Sequence, residues 1–262
     1  MKKDVVIIHY NTPRLTEAAI RSLDKTTKGC HVIVFDNSDR EPFFAEAELR
    51  AAEKGDAADT AGTVAGTGTG TGTERKRNGD GNGNGRRLVI GETTVEVIDN
   101  TKEQLIDWTS WLDGFKDKEP SPGNDYGSAK HCRSVQWIVD HRKNPFVLMD
   151  SDVLLKDDVS FLWDREQAFV GHIGCNTRRF GYVVNRVEPW LCYINVRMMR
   201  ANGISYFNGR KMWNLVSVAP DDHYDTGAWF LEECERIGLP YKDMEMKDYG
   251  LHLIDTPLPK MK

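Results

Sequence analysis

Apolar positions divide the chain into short β-rich runs and longer amphipathic ones. "DVVIIHY" (4–10) is a compact β-branched run, the mark of a buried strand. "NTPRLTEAAIRSLDKTTKG" (11–29) follows, with Thr12 placed to cap a helix and Pro13 at its first position. Leu15, Ala18, Ala19 and Leu23 fall on one helical face, and Gly29 closes the segment. "HVIVFDNSD" (31–39) is a second strand that ends in polar residues. Strand, helix and strand in that order predict a βαβ unit, which builds parallel sheet through a right-handed crossover.

The pattern then fails. Residues 51–87 include "GTVAGTGTGTGTERKRNGDGNGNGRR" and carry almost no large apolar side chain. Such a segment buries too little surface to offset its ordering entropy and reads as a flexible insertion. Its glycines do not make a phosphate loop, because GxxxxGK[ST] and a following apolar helix are both missing. Structure resumes with "RLVIGETTVEVIDNT" (87–101), a predicted strand pair, and with the amphipathic "KEQLIDWTSWLDGF" (102–115). After a polar turn at 124–128, "AKHCRSVQWIVDHRK" (129–143) places Cys132, Val135, Ile138 and Val139 on one helical face, with Ser128 as its candidate cap. "PFVLMDSDVLL" (145–155) is the next strand. Short strands alternate with loops beyond it ("AFVGHIG", "YINVRMM"), and a last helix, "TGAWFLEECERIG", stops at Gly238 ahead of Pro240.

Composition narrows the function classes. The chain has 262 residues and a formal net charge of -5, which argues against a broadly nucleic-acid-binding surface. Its 5 cysteines are scattered without a CxxC, a reduced, cytoplasmic pattern rather than a disulfide framework or zinc site. The opening "MKKDVVIIHYN" has too short an apolar run for a signal peptide, and no window reaches the length of a membrane span. The expectation is a soluble cytoplasmic protein, with work at the inner face of the membrane left open.

Chemistry concentrates in "NPFVLMDSDVLLKDD", where Asp150 and Asp152 interrupt an apolar run. Side chains two apart on a strand face the same way, so both carboxylates can meet at one point past the strand end. Ligands of open α/β sheets bind at that edge. Two convergent carboxylates there suit a hard divalent cation, Mg²⁺ or Mn²⁺, able also to hold phosphate oxygens. The plainer alternative is that Asp150 caps a turn while Asp152 is solvated.

Taken together, "VVIIHYNTPRLTEAAIRSL", "HVIVFDNSD" and "FVLMDSDVLL" resemble a family 2-type nucleotide-sugar glycosyltransferase with a GT-A fold. The resemblance implies one α/β domain over 1–262: a mixed, mostly parallel sheet flanked by helices, with a Rossmann-like N-terminal nucleotide-binding half. It also implies a metal-dependent sugar transfer from a UDP- or GDP-sugar to a glycan or lipid-linked acceptor, with inversion, in polysaccharide or glycoconjugate synthesis. By that resemblance His9, Tyr10 and Asn11 line the nucleotide pocket, and Asp36, in a "DNxS" version of the family's turn, contacts the base or ribose. Asn100, Lys130, His131 and Ser151 lie where such enzymes close over the donor, and Asp150 and Asp152 hold the diphosphate through Mn²⁺ or Mg²⁺. Asn37 with Ser38 can equally form only an Asx turn.

The family's base is an acidic residue opening a helix after the D-x-D strand. "APDDHYDTGAWFLEECERIG" offers Asp221, Asp222 and Asp225, of which Asp225 fits the helix start best; the family's usual "ED" is absent. His252, in "DYGLHLIDT", matches the late histidine with which some GT-A enzymes complete their metal site, and a core histidine is the plainer reading. Trp190, Tyr193, Trp213 and Trp229 can stack on sugar rings or simply pack. Two other readings compete. One is a haloacid-dehalogenase-like phosphatase using Asp150 and Asp152, against which Val153 and Leu154 stand in its Gly-Thr places. The other is an inactive carbohydrate- or nucleotide-binding module.

Overall fold

The computed structural model describes residues 2–43, 86–102, 104–106, 126–175, 185–209 and 225–253. The chain opens as β1 (Lys3–His9), α1 (Pro13–Thr26) and β2 (Cys30–Asp36), and β1 pairs with β2 in parallel, as the βαβ pattern predicts. A hairpin follows, β3 (Arg86–Ile90) and β4 (Thr93–Asp99), turning at Gly91 with φ 63°. The first two residues of β3, Arg86 and Arg87, fall inside the stretch read as insertion; residues 51–85 and most of 102–115 lie outside the described residues. Next come α2 (Tyr126–His141), β5 (Phe146–Met149), β6 (Val153–Leu155), β7 (Phe169–Gly171), β8 (Ile173–Cys175), β9 (Asn185–Val187) and β10 (Leu191–Ile194). The chain continues through α3 (Val196–Ala201), α4 (Ala228–Ile237), β11 (Lys242–Asp243) and β12 (Gly250–His252).

Eight strands form the main sheet in the order β11-β7-β10-β5-β1-β2-β4-β3, and two small sheets pair β12 with β6 and β8 with β9. Strands β5, β1, β2 and β4 run parallel, whereas β10 and β3 are antiparallel to their neighbours. Alternation along the strands feeds two cores. Val6, Ile8, Ile33 and Phe35 join Cys132, Val135, Ile138 and Val139 of α2 and Phe230, Leu231 and Cys234 of α4 on one face. Val5, Ile7, Val32 and Val34 join Ala19, Ile20 and Leu23 of α1 on the other. The result is a mixed α/β molecule with a mostly parallel sheet between helical layers.

Several local expectations are corrected by long-range partners. The buried face of α1 is Pro13, Thr16, Ala19, Ile20 and Leu23, while Leu15 is exposed. Thr12 makes no cap bond; its hydroxyl lies 3.1 Å from Ser151 Oγ instead. Ser128 sits inside α2, not before it, and donates to Asp225 Oδ1 at 2.7 Å. "YINVRMM" is not one strand: Asn195 ends β10 and accepts the Met198 N–H, which starts α3. Helix α4 does end at Gly238, in the left-handed conformation (φ 69°) that glycine adopts without strain.

Candidate metal centre

Strand β5 stops at Met149, and the two aspartates converge through a turn rather than through strand pleating. Asp150 N–H donates to the Trp190 carbonyl at 3.0 Å, and its own carbonyl accepts Val153 N–H at 3.3 Å, reversing the chain into β6. Strand β12 then pairs antiparallel with β6, setting His252 opposite Val153, and Leu253 N–H donates to the Asp152 carbonyl at 3.1 Å. That register carries the imidazole to the aspartates. His252 Nε2 lies 3.3 Å from Asp152 Oδ1 and 3.7 Å from Asp150 Oδ2. One ligand atom from each of the three lies within 4.8 Å of the others. Among the described residues no second group of three such side chains gathers this closely.

The donor set fits a hard divalent cation. Adjacent ligands on an octahedral ion with ~2.1 Å bonds stand about 3 Å apart, close to the 3.3 and 3.7 Å from His252 Nε2 to the two carboxylates. Two carboxylates supply charge and one imidazole supplies nitrogen, a mixture that suits Mn²⁺ as well as Mg²⁺. Asp152 is only 7% exposed, and a buried carboxylate needs a cation or donors to offset its lost hydration.

Five sequence-predicted residues lie on the loop after β1, on α2 and in the aspartate turn itself. His131 of α2 places Nε2 3.5 Å from Asp150 Oδ1, so histidines face both oxygens of that carboxylate. Ser151 joins the turn to Thr12 and hence to the loop after β1. Lys130 Nζ stands 4.9 Å from the centroid of the exposed Tyr10 ring, in a cation–π contact. Tyr10 also donates to Asp39 at 3.2 Å. Asn11 holds φ 53°, unusual for a non-glycine residue, and its side-chain oxygen accepts the N–H groups of Arg40 and Glu41, both at 3.0 Å.

His9, Asp36 and Asn100 lie deeper, each no more than 1% exposed, with polar atoms engaged inside the protein. Asp36 accepts Ser38 N–H at 2.9 Å and Phe43 N–H at 2.8 Å, so the Asx turn belongs to Asp36 rather than to Asn37. Asn100 donates to Asn37 Oδ1 at 2.8 Å, and Asn37 donates to Ser134 Oγ at 2.8 Å. Burial pushes the His9 imidazole below its usual pKa, although Asp36 and the Glu41 carbonyl pull the other way. Its Nε2–H therefore donates to the Glu41 carbonyl at 3.3 Å, while neutral Nδ1 accepts from Thr16 at 2.8 Å. These groups brace the ends of β1, β2 and β4.

Asp225 lies two residues before Gly227, which caps α4. Its carboxylate accepts from Arg186 at 2.7 Å, Ser128 at 2.7 Å and Thr226 N–H at 2.7 Å. Asp221, Asp222 and Trp213 lie outside the described residues. The sequence reading passed over Arg186 and Glu188. Their signal was slight: two charges at alternate positions before "PW", one on a strand only three residues long and one just after it.

No protein-family model matches the chain, and no curated protein matches it in sequence. Solved structures do match. The galactosyltransferase LgtC, in complex with donor and acceptor sugar analogues, aligns over 93% of this chain and 73% of its own with 11% identity and a TM-score of 0.50. The glycosyltransferase GlyE of Streptococcus pneumoniae TIGR4 aligns over 94% of this chain at 12% identity and a TM-score of 0.46, and this chain spans 46% of GlyE. At such identities the likeness is one of fold, and the fold is the GT-A-like α/β arrangement of a mostly parallel sheet between helices.

Proposed function

We propose that the chain is a metal-dependent glycosyltransferase that moves a sugar from a nucleoside-diphosphate sugar to a glycan or glycoconjugate acceptor. The observation that carries this reading is the meeting of Asp150, Asp152 and His252 at the end of β5, on a sheet arranged as in a galactosyltransferase. These three side chains would hold Mn²⁺ or Mg²⁺. The ion, when bound, neutralises the charge that develops on the departing diphosphate. Tyr10, Lys130, His131 and Ser151 are assigned to the donor: His131 faces Asp150, Ser151 lies in the aspartate turn, and Lys130 meets the exposed Tyr10 ring. His9, Asn11, Asp36 and Asn100 shape that pocket from beneath by fixing its loops.

For inversion, the acceptor hydroxyl attacks the anomeric carbon and gives its proton to a carboxylate. The bond from that carbon to the diphosphate oxygen breaks at the same time. Asp225 or Asp222 is assigned as that base. Asp225 now accepts hydrogen bonds from a guanidinium and a hydroxyl, so an acceptor must displace Ser128 or Arg186 before Asp225 takes a proton. The donor is a UDP- or GDP-sugar, and the acceptor is a glycan or lipid-linked chain in polysaccharide synthesis at the cytoplasmic face of a membrane. Among the described residues no helix is long and apolar enough to cross one. The phosphatase alternative is not favoured by the fold.

Calorimetric titration of UDP and GDP, with Mn²⁺ present or chelated, tests the reading on wild type and Asp152→Asn. Nucleotide binding that requires Mn²⁺ and disappears in the variant is expected. Metal-independent binding, or none to either nucleotide, overturns it. Release of free nucleotide from the matching sugar donor separates an enzyme from an inactive binding module.

A further inference from the structure

A metal ligand works only if its ring is held in one orientation, and His252 sits on a strand three residues long. Its ring is covered by a side chain from another element. The Trp190 indole lies parallel to the imidazole, 5° between planes and 5.7 Å between centroids, an offset stack. The same indole crosses Gly250, two residues earlier on β12, where an added Cβ would stand 3.2 Å from Trp190 Cζ3. Glycine at 250 thus leaves the space the indole fills.

The indole is itself fixed at its far end. Trp190 Nε1–H donates to Glu188 Oε2 at 2.6 Å. Glu188 is anchored through its backbone, whose N–H donates to the His172 carbonyl at 2.9 Å. Its carboxylate lies against Gly174 on β8, where a Cβ would collide with it. Trp190 also accepts the Asp150 N–H through its carbonyl, so one residue touches two members of the cluster, by backbone and by ring.

We infer that Glu188 and Trp190 form a positioning pair for the metal centre: Glu188 orients the indole, and the indole holds His252 Nε2 toward Asp150 and Asp152. This inference rests on the metal-binding reading above. It makes Glu188 a positioning residue rather than a catalytic one, and it assigns Gly174 and Gly250 as the two open positions that admit the carboxylate and the ring.

The test is Mn²⁺ alone, with bound ion measured by electron paramagnetic resonance, on the full chain and its variants, beside thermal unfolding. Glu188→Ala and Trp190→Leu are expected to weaken Mn²⁺ binding about tenfold or more, the usual effect of losing an outer partner of a ligand. Trp190→Phe, which keeps a ring, and Glu188→Gln, which keeps an acceptor oxygen, are expected to recover most of that loss. Gly174→Ala changes no group near the ion, yet it is expected to weaken binding by displacing the Glu188 carboxylate. In turnover the defect is to be relieved by raising Mn²⁺. Wild-type Mn²⁺ affinity in Glu188→Ala and Trp190→Leu, with Asp152→Asn abolishing binding, overturns the positioning pair and leaves the metal centre standing. An equal loss in Trp190→Leu and Trp190→Phe also overturns it. No binding by wild type removes the metal reading itself.

Discussion

Replacing Asp152 by asparagine separates a metal ligand from a structural turn residue. The two carboxylates present ligand oxygens within 4.8 Å of each other. Unit charges at that distance repel by about 3.5 kcal/mol at an effective dielectric constant near 20, and by about 0.9 kcal/mol in water. Asparagine removes that repulsion and keeps the side-chain shape. Against it stands the 3.3 Å contact with His252 Nε2, worth about 1 kcal/mol net. Metal-free Asp152→Asn is therefore expected to unfold at or above the wild-type temperature. Mn²⁺ at a hundredfold excess over its dissociation constant stabilises the wild type by about 2.7 kcal/mol. At ~2–4 °C per kcal/mol for a chain of this size, Tm rises by roughly 5–11 °C. The variant should gain less than about 1 °C. Scanning fluorimetry with and without chelator reads all four values. A metal-free variant that melts several degrees lower, or an equal Mn²⁺ shift in both proteins, refutes the reasoning and makes Asp152 a turn former.

Three further outcomes follow from the same structure. Burial would raise the Asp4 carboxyl, but the His31 hydrogen bond, the Lys2 and His31 charges and Asn144 outweigh it and hold the group below its ordinary 3.8. A depressed acid stabilises the fold above the unfolded value and loses that contribution as pH falls through the folded one, so Asp4→Asn should flatten the Tm-against-pH curve below about pH 4. Gly227→Ala should cost at least about 2 kcal/mol, because φ is 87° and the new Cβ meets the Val187 carbonyl; Gly203→Ala, at φ 66° with open space, should cost only the backbone penalty of about 1–2 kcal/mol, and equal Tm losses would rule out the collision. Burial pushes the thiols of Cys30 up to about 11 and of Cys132 and Cys234 up to about 12, and it raises Cys192 as well. These four should resist iodoacetamide in the native protein at mildly alkaline pH and react fully after denaturation, as peptide mass spectrometry would read.

By itself the sequence determined the elements whose signal is local and strong. Short continuous apolar runs marked β1, β2 and β5, the 3.6-residue period marked α1, α2 and α4, and Gly238 marked a helix end, because each signal is carried within a few residues. It also marked Asp150 and Asp152, since charge in a buried run is costly without compensation. Tertiary structure decided what depends on partners far along the chain. Thr12 and Ser128 have the chemistry of helix caps, but Ser151 and Asp225 claim their hydroxyls. Asp36 and Asn100 carry the polar chemistry of a loop in one dimension, and only the fold shows which backbone N–H groups they accept. Above all, nothing local to "GLH" directs His252 toward Asp150. The pairing of β12 with β6 does so, by setting His252 against Val153 one residue beyond the aspartate turn. A contact between residues so far apart in the chain is fixed by packing and register, which composition and periodicity do not encode.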